Sequence, residues 1–307
     1  MRRVLVTGAT GFVGRALCDS LSRGGWSVVA PVRGAGRRIA DGVETVPLAD
    51  DAAVRSALDG ASVVVNLAGS PVAAERWTPA VKREIVASRV DLTRRLVELA
   101  ASTSAPPATW VQGSAIGYYG SAPKGRCVED APPGDDFLAR VCVDWEAAAA
   151  EASRGWGARV VQMRTSVVLG AGGGALQRLL PLFSTGFGGR VGSGEQPFAW
   201  IHIDDAAAAF RRAAEDSSWT GPVNLAIDDG TTSSLFAAAL GRALGRPAAL
   251  PAPAWALKVA FGEGASVVLG GQAVDAAKLR GLGFVPAFAT LPTALDDIVR
   301  RWRASKR

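Results

Sequence analysis

The sequence has few of the residues that hold metal ions or disulfide bonds. Three cysteines occur among 307 residues, at Cys18, Cys127 and Cys142, and His202 is the only histidine. None of the cysteines stands in a C-x-x-C spacing, and a zinc site needs several such ligands close together. The sequence therefore predicts no metal site, and its sparse, unpaired cysteines indicate a reducing compartment.

Long apolar runs are also absent. No stretch approaches the ~18 consecutive apolar residues that a membrane-spanning helix needs. The short run after Arg2 and Arg3 has neither the length nor the cleavage site of a secretory signal. We therefore predict a cytoplasmic protein without a membrane partner.

Acidic residues are outnumbered by basic ones. The chain has 28 Asp and Glu against 34 Lys and Arg, a formal net charge of +6. Such an excess can indicate binding to nucleic acid, but here the basic residues are scattered. The densest cluster lies within residues 300–307, where cations favour the C-terminal end of a helix. We therefore expect no nucleic-acid partner and a surface that suits an anionic small molecule.

Apolar and amphipathic segments alternate along the first half of the chain. Helical periodicity fills the intervals between apolar runs, including one long helix predicted over residues 79–101. This alternation predicts an α/β fold in which helices cover both faces of a doubly wound parallel sheet. The predicted strands are Val4–Thr7, Val28–Val32, Val46–Leu48, Ala61–Leu67, Thr109–Gln112 and Arg159–Met163.

Three glycines stand between the first predicted strand and the first helix. Gly8, Gly11 and Gly14 form a G-x-x-G-x-x-G pattern in the position of a dinucleotide-binding turn. The first glycine permits a tight turn, the second a close approach of backbone to pyrophosphate, and the third a close contact between helix and strand. Free N–H groups at the helix start would hold the phosphate charge; a plain glycine turn is the alternative. The predicted cofactor contacts are Gly8, Thr10, Gly11, Phe12 and Val13.

The end of the second strand distinguishes between the two nicotinamide dinucleotides. NAD binders carry an acidic residue there, which accepts a hydrogen bond from the ribose 2′-hydroxyl. This chain has Arg33 instead, followed by Arg37 and Arg38, with no carboxylate before Asp41. A guanidinium pairs with a 2′-phosphate through its planar fork. Arg33 therefore indicates NADP(H), the alternative being an ordinary surface arginine.

Small residues after the fourth strand complete the prediction of a Rossmann fold. Leu67, Ala68 and Gly69 lie where the backbone can pass close to the adenosine half of the cofactor. We expect an NADP(H)-binding domain of residues 1–165 and about 200–230. Glycine-dense loops and later helices predict a smaller, discontinuous substrate-binding domain of about residues 166–199 and 231–307.

Four segments in this order, TGATGFVG, NLAG, GSAIGYYG and WIHIDD, resemble the extended short-chain dehydrogenases/reductases. Further details are similar to an atypical branch, labelled NAD(P)-binding epimerase-family or sugar-nucleotide-epimerase-like, in which some members carry a cell-division-inhibitor label. The resemblance covers nearly the whole chain and implies an oxidoreductase or an epimerase. It also implies that Ser114 is catalytic and contacts the cofactor, and that Val168 lies beside the nicotinamide.

The chain departs from the catalytic pattern that this resemblance implies. The superfamily uses Ser or Thr, a Tyr-x-x-x-Lys pair and often Asn, of which Ser114 alone is matched. Counting back from Glu146 puts Cys142 at the lysine position and Leu138 at the tyrosine position, and Arg89 stands in place of the asparagine. An ordinary acid–base pair is therefore missing.

Other residues could replace the missing pair. Tyr118 and Tyr119, the only tyrosines, follow Ser114 closely and are candidate proton donors, the alternative being loop aromatics that stack on cofactor or core. Glu84 and Arg89 lie five residues apart on one predicted helix and could form a pair that faces the cofactor; a surface ion pair is the alternative.

His202 precedes Asp204 and Asp205 in the segment WIHIDD. We interpret the histidine as a structural group and either aspartate as the N-cap of the next helix. Trp200 borders the glycine loops and is predicted to lie at a substrate cleft.

Two functions remain open at this point. The first is an NADP(H)-dependent oxidoreductase that reduces a carbonyl, or an epimerase, with a non-standard proton donor and a small-molecule substrate of unknown identity. The second is a protein that binds NADPH as a sensor without turnover. We expect a monomer or a homodimer in either case.

The cofactor prediction can be tested at Arg33. Replacing Arg33 with Asp should weaken NADPH binding far more than NADH binding, because a charge-assisted hydrogen bond worth about 1.5–3 kcal/mol is lost. Fluorescence titration with both cofactors measures the difference, and Arg303→Asp near the chain end is the control. Equal losses for the two cofactors would show that Arg33 does not read the 2′-phosphate.

Overall fold

The predicted alternation builds one central parallel sheet. The computed structural model describes residues 2–34, 39–73, 75–123 and 125–306, so Arg37 and Arg38 lie outside the described residues. Within these ranges the strands are β1 (Arg3–Thr7), β2 (Ser27–Val32), β3 (Val43–Pro47), β4 (Val63–Asn66), β5 (Thr109–Ala115), β6 (Arg126–Cys127), β7 (Arg159–Thr165), β8 (Val167–Leu169), β9 (Trp200–His202), β10 (Gly221–Leu225) and β11 (Ala273–Val274). Seven of these strands form the sheet in the order β10-β7-β5-β4-β1-β2-β3, and all neighbours are parallel.

Helices cover both faces of this sheet. In the described ranges they are α1 (Phe12–Arg23), α2 (Asp51–Leu58), α3 (Pro79–Val86), α4 (Leu92–Ala101), α5 (Phe137–Trp156), α6 (Leu176–Ser184), α7 (Ile203–Glu215), α8 (Ser233–Leu244), α9 (Ala254–Phe261), α10 (Ser266–Leu269), α11 (Ala277–Gly281) and α12 (Leu291–Ala304). None of these described helices is both long and apolar enough to cross a membrane. The strand order reverses between β1 and β4, as in a Rossmann fold, and confirms the predicted doubly wound sheet.

Alternate residues of β1 face two separate cores. Val4 and Val6 pack with Leu17 of α1 on one face of the sheet. Leu5 packs with Leu96 of α4 on the other face. Because strands covered on both sides need apolar residues at nearly every position, these short runs stand out in the sequence.

One predicted helix is interrupted. The sequence predicts a single helix over residues 79–101, but a π-helical turn at Ala87–Asp91 separates α3 from α4. The hydroxyl of Thr93 donates to the carbonyl of Arg89, four residues earlier, at 2.6 Å. Such a bond from a threonine to the preceding turn often bends a helix. The third strand also begins earlier than predicted, at Val43 rather than Val46. Apolar periodicity does not distinguish a π turn from continuous helix.

A third core lies outside the sheet. Leu180 of α6, Leu240 of α8 and Ile298 of α12 pack there against the strand pair β8–β9. Trp200 of β9 is fully buried in this core, so its predicted place at a substrate cleft is wrong. Its indole N–H points to the carboxylate of Asp229, 3.2 Å away, and the apolar rings of the core cover the rest. The domain limits given above remain a prediction.

Buried hydrogen bonds tie the middle of the sheet to the helices. The carboxamide of Asn66 accepts from Thr7 at 2.5 Å and donates to Thr93 at 2.8 Å and to Gln112 at 3.1 Å. Thr93 also accepts from the indole of Trp145 at 3.0 Å. Asn66 therefore joins β1, β4 and β5 to α4 and α5 through one side chain.

Replacing Asn66 with Leu should destabilise the fold. The change leaves the buried hydroxyl of Thr7 and the amide of Ala68 without their acceptor, at about 1–3 kcal/mol for a buried unpaired group, and removes one hydrogen bond each from Thr93 and Gln112. We expect the free energy of unfolding in urea to fall by at least ~2 kcal/mol. Thr45→Val on the exposed edge strand β3 is the control, and a loss at Asn66 no larger than in this control would contradict the role of the network.

Candidate cofactor and active site

The turn between β1 and α1 is built so closely that only glycine fits. Gly8 has φ +67°, and a Cβ there would lie 2.5 Å from the carbonyl oxygen of Leu67. A Cβ at Gly14 would lie 2.2 Å from the carbonyl oxygen of Gly8. The turn therefore rests directly on the end of β4, which brings Leu67 and Ala68 beside the start of α1.

The first turn of α1 offers its amides to a ligand. Gly11 is the N-cap and contributes no capping side chain, and the first amides of a helix have no partner within it. No described side chain takes the place of a cap at the amides of Phe12 and Val13. Thr10 lies in the same turn, half-buried. The helix dipole and these N–H groups suit a phosphate.

A glycine-dense loop after β8 closes over the ring of Phe12. A Cβ at Gly170 would lie 2.6 Å from the Phe12 ring, and one at Gly173 would lie 2.7 Å from it. A Cβ at Gly174 would lie 3.0 Å from the carbonyl oxygen of Val168. The glycines were readable in the sequence as a loop, but their partner was not, because it lies some 160 residues away along the chain.

Arg89 has no counter-charge among the described residues. Its guanidinium lies over Gly69, where a Cβ would be 2.8 Å from the guanidinium carbon. The guanidinium is also 5.3 Å from the ring centroid of Trp145 and donates to the carbonyl of Ile85 at 3.3 Å. Burial lowers the pKa of Arg89. A half-buried cation that lacks a described carboxylate suits an anionic or polyhydroxylated ligand.

Glu84 does not pair with Arg89, so this part of the prediction is wrong. The π turn rotates Arg89 inward, whereas Glu84 on α3 stays exposed and lies 3.9 Å from the guanidinium of Arg33. The Arg33 side chain is 76 % exposed, at the end of β2. An exposed pair at this distance is weak and can exchange partners.

Ser114 and Tyr119 belong to one buried polar network. The Ser114 hydroxyl donates to Glu146 at 2.6 Å, and Arg164 binds both oxygens of the same carboxylate at 2.9 Å. Tyr119 donates to the amide oxygen of Asn224 at 2.6 Å and accepts from Arg164 at 3.1 Å. Burial raises the pKa of Tyr119 to about 12, in spite of Arg164. Both hydroxyl protons are therefore committed to internal partners.

Tyr118 differs from its neighbour. Its ring lies flat on the guanidinium of Arg164, 3.4 Å from centroid to carbon, and is half-buried beside Tyr119. No hydrogen bond joins the Tyr118 hydroxyl to any residue that the structure describes. Of the three predicted catalytic residues, Tyr118 is the one whose proton has no acceptor within the described protein.

The helix that usually carries an acid–base pair has none here. Cys142 of α5 is 5 % exposed, and burial raises the pKa of its thiol to about 12. Leu138, one turn earlier, lies opposite Gly117, with 3.9 Å between its Cβ and the position of a Cβ there. Neither side chain is a base at neutral pH.

His202 is a structural group, as predicted. The N-cap of α7 was predicted to be Asp204 or Asp205, but His202 itself is the N-cap. Its Nδ1 accepts from the amide of Asp204 at 3.2 Å, which leaves Nε2 to face Asp297 of α12 at 3.3 Å. Arg301 pairs with both Asp204 and Asp297. Burial lowers the pKa of His202. The group joins α7 to α12, and Asp205 instead accepts from two amides of residues 287–288.

Residues 4–226 match the NAD dependent epimerase/dehydratase family, and residues 252–298 match a domain of unknown function, DUF1731. The chain belongs to the NAD dependent epimerase/dehydratase family. It is 37% identical over 303 residues to the Arabidopsis thaliana epimerase family protein SDR39U1 homolog, chloroplastic, with 97% of this chain and 86% of that protein covered. The resemblance read from the sequence motifs is thereby confirmed.

Two solved structures show the same fold. The human epimerase family protein SDR39U1, crystallised with NADPH, has a TM-score of 0.88 and 34% sequence identity, covering 97% of this chain and 99% of that one. A nucleoside-diphosphate sugar epimerase from Corynebacterium glutamicum has a TM-score of 0.77 and 32% identity, covering 97% of this chain and 58% of that longer one.

The phosphate-binding turn can be tested at Gly11. A Gly11→Val change places a branched side chain where pyrophosphate must approach, so NADPH affinity should fall at least ~100-fold while the fold survives. Circular dichroism checks the fold and fluorescence titration the affinity. Gly155→Val, where nothing lies within 4 Å of the new Cβ, is the matched control. A folded Gly11 variant with unchanged affinity would place the cofactor elsewhere.

Proposed function

We propose that this protein binds NADPH along the β1–α1 turn and the end of β4. The observation that carries the proposal is Arg89, a half-buried cation over Gly69 with no described carboxylate partner. The uncapped start of α1 lies at the same edge of the sheet and suits the pyrophosphate. The human relative was crystallised with NADPH, which supports the same cofactor here.

The adenosine end of the groove favours NADPH over NADH. Arg33 ends β2 beside β1, and its present partner is Glu84, exposed and 3.9 Å away. Because this exposed pair is weak, the guanidinium can leave the carboxylate for a 2′-phosphate, which accepts a bidentate pair. Arg89 would then face the ribose or phosphates farther along the groove.

The reaction that we propose is reduction of a carbonyl compound to an alcohol. Bound NADPH would supply the hydride to the carbonyl carbon. The carbonyl oxygen would then take a proton from Tyr118, because Ser114 and Tyr119 already donate to Glu146 and Asn224. Water returns the proton to Tyr118 after release of the alcohol. Arg164 holds the Tyr118 ring from beneath and balances charge at the site.

A second function is favoured by the same hydrogen bonds. Two of the three candidate hydroxyls already have internal acceptors, and Leu138 and Cys142 supply no acid–base pair. A protein built this way can bind NADPH and report its presence without oxidising it. Oxidation of NADPH by the intact protein would support the reductase function, and binding without oxidation would support this second function.

Tyr118 is the residue that tests the chemistry. In Tyr118→Phe the rate of NADPH oxidation with a carbonyl substrate should fall at least ~100-fold, because the proton donor is lost. The affinity for NADPH should remain unchanged. Tyr119→Phe is the matched control: it loses a buried hydrogen bond, so stability should fall by about 1 kcal/mol with a smaller loss of rate.

The absorbance of the reduced cofactor measures both variants. A Tyr118→Phe protein that reduces its substrate at the original rate would remove Tyr118 from the mechanism. If the intact protein binds NADPH but none of the carbonyl compounds tested leads to oxidation of the cofactor, the binding function is correct and the reductase function is wrong.

A further inference from the structure

Two adjoining cavities lie beside the Tyr118 turn. They measure about 270 and 490 Å³ and share Arg126, Pro197 and Ala273 in their walls. Loops from the second half of the chain and the turn after Gly120 enclose them. Their combined size is that of a small-molecule site.

The smaller cavity and Tyr118 share one apolar cluster of the fold. Val274 lines this cavity and belongs to the cluster, and both Tyr118 and Ala199, which also lines the cavity, pack against the cluster. Gln272, in the same wall, donates to the carbonyl of Gly120 at 2.5 Å. The smaller cavity opens at the carboxyl end of β10, and this edge of a doubly wound sheet is where ligands bind.

The one cation in the described walls is already paired. Arg126 is the single cation among the described lining residues, and it pairs with Asp228 at 3.0 Å and with Asp275 at 3.6 Å. Asp228 receives a second guanidinium, that of Arg280, at 2.6 Å. Asp229 adds a further negative charge to the smaller cavity. A diphosphate would have to draw Arg126 away from two carboxylates.

Some backbone donors of the walls are occupied as well. The amide of Gly271 donates to Ser121, that of Gly270 to Ser266, and that of Thr231 to Asp229. Phosphate sites in proteins are built from free amides and unpaired cations. The described walls contain no unpaired cation, and two carboxylates, those of Asp228 and Asp229, would repel a phosphate in the smaller cavity.

The remaining surface is apolar with a few neutral polar groups. Phe198 is stacked on Phe236, 4.2 Å between centroids, and borders the cavity with Ile227 and Pro197. The side chains of Gln272 and Thr231 supply neutral hydrogen-bonding groups. Such a lining binds an apolar body and fixes one polar group.

We infer that these cavities bind an uncharged carbonyl compound with an apolar body and exclude nucleoside diphosphate sugars. As a statement about the substrate, the inference rests on the proposed function. Binding itself can be measured without turnover. The inferred ligand would distinguish this chain from the nucleoside-diphosphate sugar epimerase whose fold it resembles.

Ligand-detected NMR on the NADPH-loaded protein tests the inference, with acetophenone and UDP-glucose as probes. Saturation transfer to acetophenone should be seen and should weaken at least tenfold in Ala273→Phe, which fills the wall common to both cavities. Val285→Phe, at an 85% exposed position, is the matched control and should bind as before. Phe198→Leu, which keeps an apolar side chain, should weaken acetophenone several-fold if Ala273→Phe does not fold.

The outcomes separate the two proposals. Acetophenone binding that survives both cavity variants, or UDP-glucose binding that Ala273→Phe removes, would overturn the inference. NADPH retention is measured on the same samples by fluorescence. If NADPH fails to bind but acetophenone binding still depends on Ala273, the cavity assignment holds and the proposed function is wrong.

Discussion

The structure depends on one backbone contact, between the turn after β1 and the end of β4. Gly8 lies so close to the Leu67 carbonyl that a side chain cannot be admitted, and Gly14 presses α1 onto the same turn. This contact aims the uncapped start of α1 along the carboxyl edge of the sheet. The residues of the turn take their position from that edge, including Phe12, which the glycine loop after β8 covers.

Buried charge separates structural groups from ligand-binding ones. Arg164 donates to a carboxylate, a phenol and a carbonyl; burial opposes its charge, but the hydrogen bonds to Glu146 and Tyr119 together with their charges raise the pKa of Arg164. Arg89 has one carbonyl and an aromatic ring. Arg164 is thus a matched cation of the core, whereas Arg89 is a half-buried cation with no carboxylate partner among the described residues. The two arginines stand on neighbouring elements, yet their surroundings differ in kind.

The site has the serine expected on β5 but lacks the tyrosine and lysine that the family resemblance places on α5. Ser114 survives at its place on β5, but its hydroxyl is bound to Glu146 rather than left free. Loss of a lysine at Cys142 removes the ammonium that would promote a tyrosine on α5. The proposed proton donor therefore lies on the segment between β5 and β6, where the Tyr118 hydroxyl has no acceptor among the described residues.

The sheet and the glycine turn follow from the sequence alone, because apolar periodicity and glycine spacing are local properties of the chain. The family follows from the order of its motifs, and Gly8, Gly11 and Ser114 lie on the elements predicted for them. Which side chains meet depends on the folded chain: Glu84 pairs with Arg33, Trp200 is buried, and the hydroxyls of Ser114 and Tyr119 have internal acceptors. Those outcomes depend on contacts between residues far apart in sequence and on a π turn that leaves no mark in the periodicity.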